Sequence, residues 1–348
     1  MDTAYYKKTD EIGSEFWDSF PNMGKRYYLT GRTALDSIIR DILNEKRMKS
    51  VLLPSYCCRT MIKPFIRHGL EVRFYDVFFD RDTGLTVSFP PRQADEILYL
   101  IRYFGFQDLS GIDYEQIRGE YCVIIEDTTH SWLSDSVIDA DYRFTSYKKW
   151  TGISGVALAE KRNGAFIENT LRKNDEFVRL REKAFALKRD YIETGLGDKA
   201  TFLRLFEDAE KLIEDDYCGY EPEPKALEQL LYLDTETIRL KRRTNAALLI
   251  RELGSVDGIR LMFHSLSPGD VPLFVPIMVA ECRDELKRFL IEKDIYCPVH
   301  WPISDWHFGL SERAESLYRT ELSLICDQRY GCEEMMRIVD SIREFYHN

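Results

Sequence analysis

Asp127, Ser146 and the adjacent pair Lys148 and Lys149 are the residues whose types and order could carry covalent chemistry. Asp127 follows Glu126 at the end of an apolar run, residues 121–125. A short apolar run that stops at charged residues reads as a strand buried on both faces of a parallel sheet. In open α/β sheets the ligand crevice lies beyond the carboxyl ends of such strands. A second short strand, residues 142–145, leads into Ser146-Tyr147-Lys148-Lys149-Trp150. An acid at a strand end followed by Ser-x-x-Lys is the set that pyridoxal 5'-phosphate (PLP) requires. The lysine amine forms an aldimine with the cofactor and then moves the substrate α-proton. Asp127 pairs with the ring nitrogen and keeps the ring an electron sink. The amine must be deprotonated near neutral pH, which burial and a neighbouring cation favour. Each lysine has the other as that cation, and the spacing from Ser146 favours Lys149. His130 stands three residues beyond Asp127, placed to lie under or beside the ring.

The phosphate half of such a site has its own candidate. Residues 26–35 pass from a short strand into a helix with Leu35, Ile38, Ile39, Ile42 and Leu43 on one face. Thr30 can cap that helix, and Gly31 lets a ligand approach the backbone closely. The unpaired amides of a first helical turn form an anion site. Ser146, with the backbone around Gly31, Arg32 and Thr33, would hold the phosphate.

These segments need a sheet to position them. Strand-like runs at residues 50–54, 70–77, 97–105 and 121–127 alternate with helical stretches such as 56–68. That alternation predicts a mostly parallel sheet wrapped by helices, which residues 156–160 continue. Residues 168–194 read as a charged helix with a solvated face, and 195–224 as irregular and acidic. Residues 225–253 read as one long helix ended by Gly254. A second unit then follows, with strands at 273–279, 295–301 and 321–327, a helix at 282–294 and a terminal helix from about residue 333. The expected division is an N-terminal arm (1–25), a large cofactor-binding domain (26–224), a connecting helix (225–254) and a small α+β C-terminal domain (255–348).

Composition narrows the partners. The chain has 348 residues and a formal net charge of −11, which argues against general nucleic-acid or anionic-membrane binding. No apolar run approaches the roughly 20 residues that span a bilayer, and residues 1–17 have neither an apolar core nor a cleavage site. The eight cysteines show no zinc spacing and read as buried reduced thiols. The expectation is a cytoplasmic protein with no metal.

Several motifs, in order, resemble those of the DegT–DnrJ–StrS family of sugar aminotransferases, within the fold-type I PLP enzymes. Residues 30–35, Thr-Gly-Arg-Thr-Ala-Leu, resemble the family's phosphate-binding turn. Residues 52–58, Leu-Leu-Pro-Ser-Tyr-Cys-Cys, and 71–77, Glu-Val-Arg-Phe-Tyr-Asp-Val, are similar to its next two strand ends. Residues 103–106, Tyr-Phe-Gly-Phe, match its Tyr-Gly or Phe-Gly turn. Glu126-Asp127-Thr128-Thr129-His130 matches Glu-Asp-Ala-Ala-Gln/His, whose Asp binds the ring nitrogen and whose last residue contacts the ring. The resemblance runs from about Tyr27 to the C-terminus and implies a large domain built on a mostly parallel seven-stranded sheet.

It also implies a homodimer with active sites at the interface. The activity implied is transfer of an amino group, from glutamate or glutamine, to a keto group on a nucleotide-linked sugar in sugar or polysaccharide biosynthesis. The departures are local. The serine-to-lysine spacing is shorter than the family's Ser-Phe-His-x-x-Lys, and Gly152-Ile153-Ser154-Gly155 stands where a Gly-Glu-Gly-Gly segment is usual. Cys58 falls at or near the aromatic that stacks on the ring, so that contact comes from Tyr56, from His130, or is absent. The partner-chain asparagine of the phosphate site has no clear counterpart. Two other readings stand beside this one: a PLP-dependent sugar dehydratase of the same family, in which a histidine replaces the lysine, and a catalytically silent binding or regulatory protein.

Overall fold

The computed structural model describes residues 24–107, 109–135, 138–167 and 170–347. Most of the expected N-terminal arm, residues 1–23, lies outside the described residues. In chain order the elements are β1 (Gly24–Tyr28), α1 (Gly31–Glu45), β2 (Ser50–Pro54), α2 (Arg59–Arg67), β3 (Glu71–Asp80), β4 (Gly84–Ser88) and β5 (Glu96–Ile101). Then come α3 (Tyr114–Glu120), β6 (Ile124–Asp127), β7 (Tyr142–Ser146), β8 (Ala157–Lys161), α4 (Asp175–Thr194), α5 (Lys199–Leu212), α6 (Pro224–Leu231) and α7 (Thr235–Leu253). The last are β9 (Ile259–Leu261), β10 (Phe274–Val279), α8 (Arg283–Glu292), α9 (Glu312–Thr320), β11 (Glu321–Ile325) and α10 (Cys332–His347).

The large sheet has eight strands in the order β1-β8-β7-β6-β5-β2-β3-β4, and β11-β10-β9 form a second, three-stranded sheet. β2 pairs in parallel with both β3 and β5, and β5 with β6. Every residue of β2, β5 and β6 is buried, and their polar residues, Ser50, Glu96, Glu126 and Asp127, stand at the strand ends. Antiparallel pairs lie toward the two edges, β3 with β4 and β1 and β7 with β8. The eighth strand, against seven expected, is β4. Its Gly-Leu-Thr-Val-Ser sequence reads as loop, but Asp80 accepts from the amides of Asp82 and Thr83 and so shapes a hairpin turn.

The chain divides into two compact units, Met1–Lys46 with Asp141–Asp234, and Arg47–Ala140 with Thr235–Asn348. In the first, α1 starts as expected, with the Thr30 side chain accepting from the Thr33 amide, and buries Ala34, Leu35, Ile38, Ile39 and Ile42. The α1 carboxylate of Asp41, fully buried, takes Lys161 Nζ of β8 at 2.7 Å, the Tyr142 hydroxyl of β7 at 2.7 Å and the Ile167 amide at 2.8 Å. Three donors on one buried carboxylate tie the helix to the β7–β8 hairpin.

Four segments differ from the sequence reading. Residues 195–224 contain α5, a regular helix that Asp198 caps and that buries Phe202 and Ala209. Its many acids lie around a short apolar stripe that composition alone obscures. The single helix expected at 225–253 is two, α6 and α7. The register breaks between buried Leu230 and Leu233, and Asp234-Thr235 is a helix-start pair. Residues 295–301 form no strand, because Pro298 has no amide to donate and the His300 amide is taken by the Glu321 carboxylate. The charged helix expected from residue 168 begins at Asp175, with Asn174 as its cap. The cysteines form no disulfide, and Cys122, Cys282 and Cys332 are exposed rather than buried. Among the described residues no helix is long and apolar enough to cross a membrane.

Asp41→Ala would leave the Tyr142 hydroxyl and the Ile167 amide without their acceptor, and the buried Lys161 cation with Glu45 as its remaining carboxylate. A loss of about 3 kcal/mol is expected, measured as a lower urea midpoint, whereas Asp36→Ala on the same helix should cost less. Equal losses for the two variants would refute the tie.

Candidate functional site

Each unit carries part of the candidate machinery. In the first unit, β7 delivers Ser146 at its end, and residues 147–149 form a single 3-10 turn. The Ser146 hydroxyl is buried and has no hydrogen-bond partner among the described residues. It faces the start of α1, where a Cβ built on Gly31 would lie 3.0 Å from the Ser146 Cβ. A buried hydroxyl without a partner costs about 1–3 kcal/mol unless a ligand or water satisfies it. The neighbouring groups are partly committed. Thr33 donates its amide to the Thr30 side chain at 3.2 Å and its hydroxyl to the Tyr217 carbonyl at 2.7 Å. Arg32 donates through one terminal nitrogen to the Ile213 carbonyl, while its Nε is buried and without a partner. Ser146 and Arg32 Nε are thus the open groups at the mouth of this helix.

The two lysines have different surroundings. Lys148 Nζ lies 2.5 Å from Glu210 Oε1 on α5, and Arg181 of α4 approaches the same oxygen at 3.4 Å. Arg32 stands 3.9 Å from the other Glu210 oxygen. Burial, helped by Arg181 and Lys149, brings the Lys148 amine down to about 8 against the pull of Glu210. Burial would raise the Glu210 carboxyl, but Lys148, Arg181 and Arg32 outweigh it and bring the carboxyl down to about 2. Lys149 is exposed and, among the described residues, has no ion pair. Glu210 and Arg181 were missed from sequence because they lie in segments that read as an acidic loop and a solvated face. Arg181 is in fact buried, with its Nε on the Ser154 carbonyl at 2.8 Å and its guanidinium over Phe185 and Phe206.

In the second unit, Asp127 ends β6 and is buried. Its Oδ2 accepts from the Tyr99 hydroxyl at 2.7 Å and its Oδ1 from the Thr129 amide at 2.8 Å. Burial first, and the charge of Asp127 second, hold the Tyr99 phenol well above its usual range, so it remains a donor. Both contacts favour a charged, fixed carboxylate. His130 is buried with its ring centroid 5.5 Å from Phe104, 5.3 Å from His300 and 5.2 Å from Trp301. Tyr56 is buried too, 5.2 Å from the same Trp301 and 5.6 Å from Tyr103, and it donates to the His300 carbonyl. The structure therefore brings His130 and Tyr56 to one indole. Trp301, His300, Ser323 and Glu321 lie in segments that the sequence marked as strands of the C-terminal domain and gave no role. The available signal was a His-Trp pair behind Pro298 in an otherwise apolar run.

No family model matches the sequence, and no curated relative matches it. Solved structures do resemble it. The aminotransferase TlmJ from Streptoalloteichus hindustanus superposes with a TM-score of 0.66 at 16% identity, over 99% of this chain and 92% of that one. Helicobacter pylori PseC, an aminotransferase involved in the biosynthesis of pseudoaminic acid, gives 0.64 at 13% identity, over 98% and 93%. A DegT DnrJ EryC1 StrS aminotransferase from Brucella abortus gives 0.61 at 16%, over 99% and 92%. At such identities the likeness establishes the fold: this chain has the α/β fold of these solved structures.

The Glu210 cluster makes a pH-dependent prediction. With its carboxyl at about 2 in the fold against an ordinary 4.5, Glu210 contributes stability that is complete above about 4.5 and lost as pH falls toward 2. Because the side chain is more than a third exposed, solvent limits that contribution to on the order of 1 kcal/mol. Glu210→Gln should therefore unfold at a lower temperature than the parent at pH 7, and the gap should close by about pH 2. A gap that stays constant over that range would exclude the assignment.

Proposed function

We propose that this chain is a PLP-dependent aminotransferase that moves an amino group from an amino acid, glutamate or glutamine, to a keto group on a nucleotide-linked sugar. The observation that carries the reading is the buried, unpartnered Ser146 hydroxyl at the start of α1, next to a glycine that leaves room for no side chain. A hydroxyl in that setting suits the oxygen of a phosphate, as does the Arg32 Nε. When bound, PLP supplies an electron sink conjugated to the carbon that loses its proton.

The residues then take distinct roles. Ser146, Gly31, Arg32 and Thr33 bind the phosphate, Thr33 by supporting the turn through its own hydrogen bonds. Asp127, held by Tyr99 and Thr129, keeps a proton on the ring nitrogen. His130 and Tyr56 contact the ring. Lys149 Nζ would hold the cofactor covalently and, once the incoming donor amine had displaced it, would serve as the base for the substrate α-proton. The choice of Lys149 over Lys148 is supported by the Lys148–Glu210 pair, since an ion-paired ammonium cannot attack a carbonyl until the pair separates. The same reading takes the protein as a cytoplasmic homodimer with active sites at the subunit boundary. It keeps residues 26–224 as the cofactor-binding domain and 255–348 as the small domain, with 225–254 connecting them.

The Glu210 pair also supports the silent-protein reading, because one of the two lysines is already committed to a structural partner. Adding PLP to the pure protein separates the readings. An aminotransferase gives a visible band that borohydride fixes to Lys149 in peptide mass spectra. Label on Lys148 would reassign the amine, and no band at all would favour the silent protein. Asp127→Asn should lower kcat/KM for a keto-sugar nucleotide on the order of 100-fold or more. An unchanged value would remove Asp127 from the chemistry.

A further inference from the structure

Glu321, at the start of β11, has a side chain with no solvent exposure, and among the described residues it pairs with no lysine or arginine. A buried carboxylate of this kind persists only where fixed donors surround it. Here the donors are the His300 amide, 2.7 Å from Oε2, the Ser323 hydroxyl, which donates to Oε1, and the Tyr56 hydroxyl, which also reaches the carboxylate directly. Ser323 Oγ also lies 2.9 Å from His300 Nδ1. A serine hydroxyl has one proton, and Glu321 receives it. Ser323 can therefore only accept from His300, so Nδ1 must carry the hydrogen.

His300 is also the junction between the two candidate ring-contacting side chains. Its carbonyl accepts the Tyr56 hydroxyl, and its ring meets the His130 ring at 5.3 Å and 80°. Phe104, Phe274 and Trp301 close around the same imidazole at 4.9–5.4 Å. We propose that His300 is a positioning residue: Glu321 and Ser323 fix its backbone and its Nδ1–H tautomer, and through it they fix Tyr56 and His130. The tautomer stands on the geometry alone, whereas the consequence for the site rests on the PLP reading given above.

The test has two arms on the full-length protein. Long-range 1H–15N correlation spectra with 15N-histidine resolve the six imidazoles at pH 7.5, and a His300→Gln sample assigns the one in question. The expected pattern is a ring that carries a proton on Nδ1. A ring with no proton on Nδ1, the Nε2–H tautomer, would overturn the proposal, whether or not the protein binds PLP. In the second arm PLP is titrated into Ser323→Ala and Ser323→Thr. Ser323→Ala should show a displaced His130 resonance and roughly fivefold weaker PLP binding, the scale of one lost hydrogen bond. Ser323→Thr keeps the hydroxyl, and its His130 resonance and affinity should return to those of the parent. Loss of binding in both variants, or in neither, would refute the positioning role. No PLP binding by the parent would refute the cofactor reading and leave the first arm to decide the tautomer.

Discussion

The first unit depends on a single buried carboxylate. Asp41 gathers Lys161, Tyr142 and the Ile167 amide onto two oxygens, so that α1 and the β7–β8 hairpin cannot move independently. Everything at the start of α1 inherits that registration. Gly31 meets Ser146 because Asp41, most of three helical turns further on, fixes how the helix lies against the hairpin. A buried charge adds little net stability, but it penalises every arrangement in which its partners are lost. Here it specifies one docking of helix on sheet.

A second constraint comes from the parallel strands. β2, β5 and β6 are buried along their whole length, so polar side chains can stand only at their ends. Asp127 occupies such an end, in register with Ile101 of β5, and Tyr99 two residues back on β5 reaches it with a hydroxyl. The acid needs these donors to be tolerated there, and the donors in turn fix its plane.

What was legible in the sequence was what local pattern decides. The strand end at Asp127 announces itself because an apolar run stops at charged residues, Ser146 because a short strand leads into Ser-x-x-Lys, and the α1 cap because Thr30 precedes a helical stripe. Residues whose position comes from tertiary packing were not legible. Glu210 is one acid among many on a helix whose apolar stripe is narrow, and only the fold shows that it faces Lys148. Arg181 looked like one charge on a solvated helix, yet three phenylalanines accept its guanidinium. Glu321 and Ser323 alternate on β11 as a strand should, and nothing local says that both face a histidine two dozen residues earlier. β4 was missed for a related reason, since a five-residue edge strand after a polar turn has too little pattern to separate from a loop.

The contact between Gly31 and Ser146 also bears on descent. A methyl group at position 31 would press on the Ser146 Cβ, which itself sits on a hairpin that Asp41 prevents from yielding. Neither position can drift alone: a larger residue at 31 requires the hairpin to withdraw, and a larger residue at 146 closes the same space from the other side. In a lineage of such chains the two positions should therefore change together or not at all, even where the sequence around them has diverged beyond recognition.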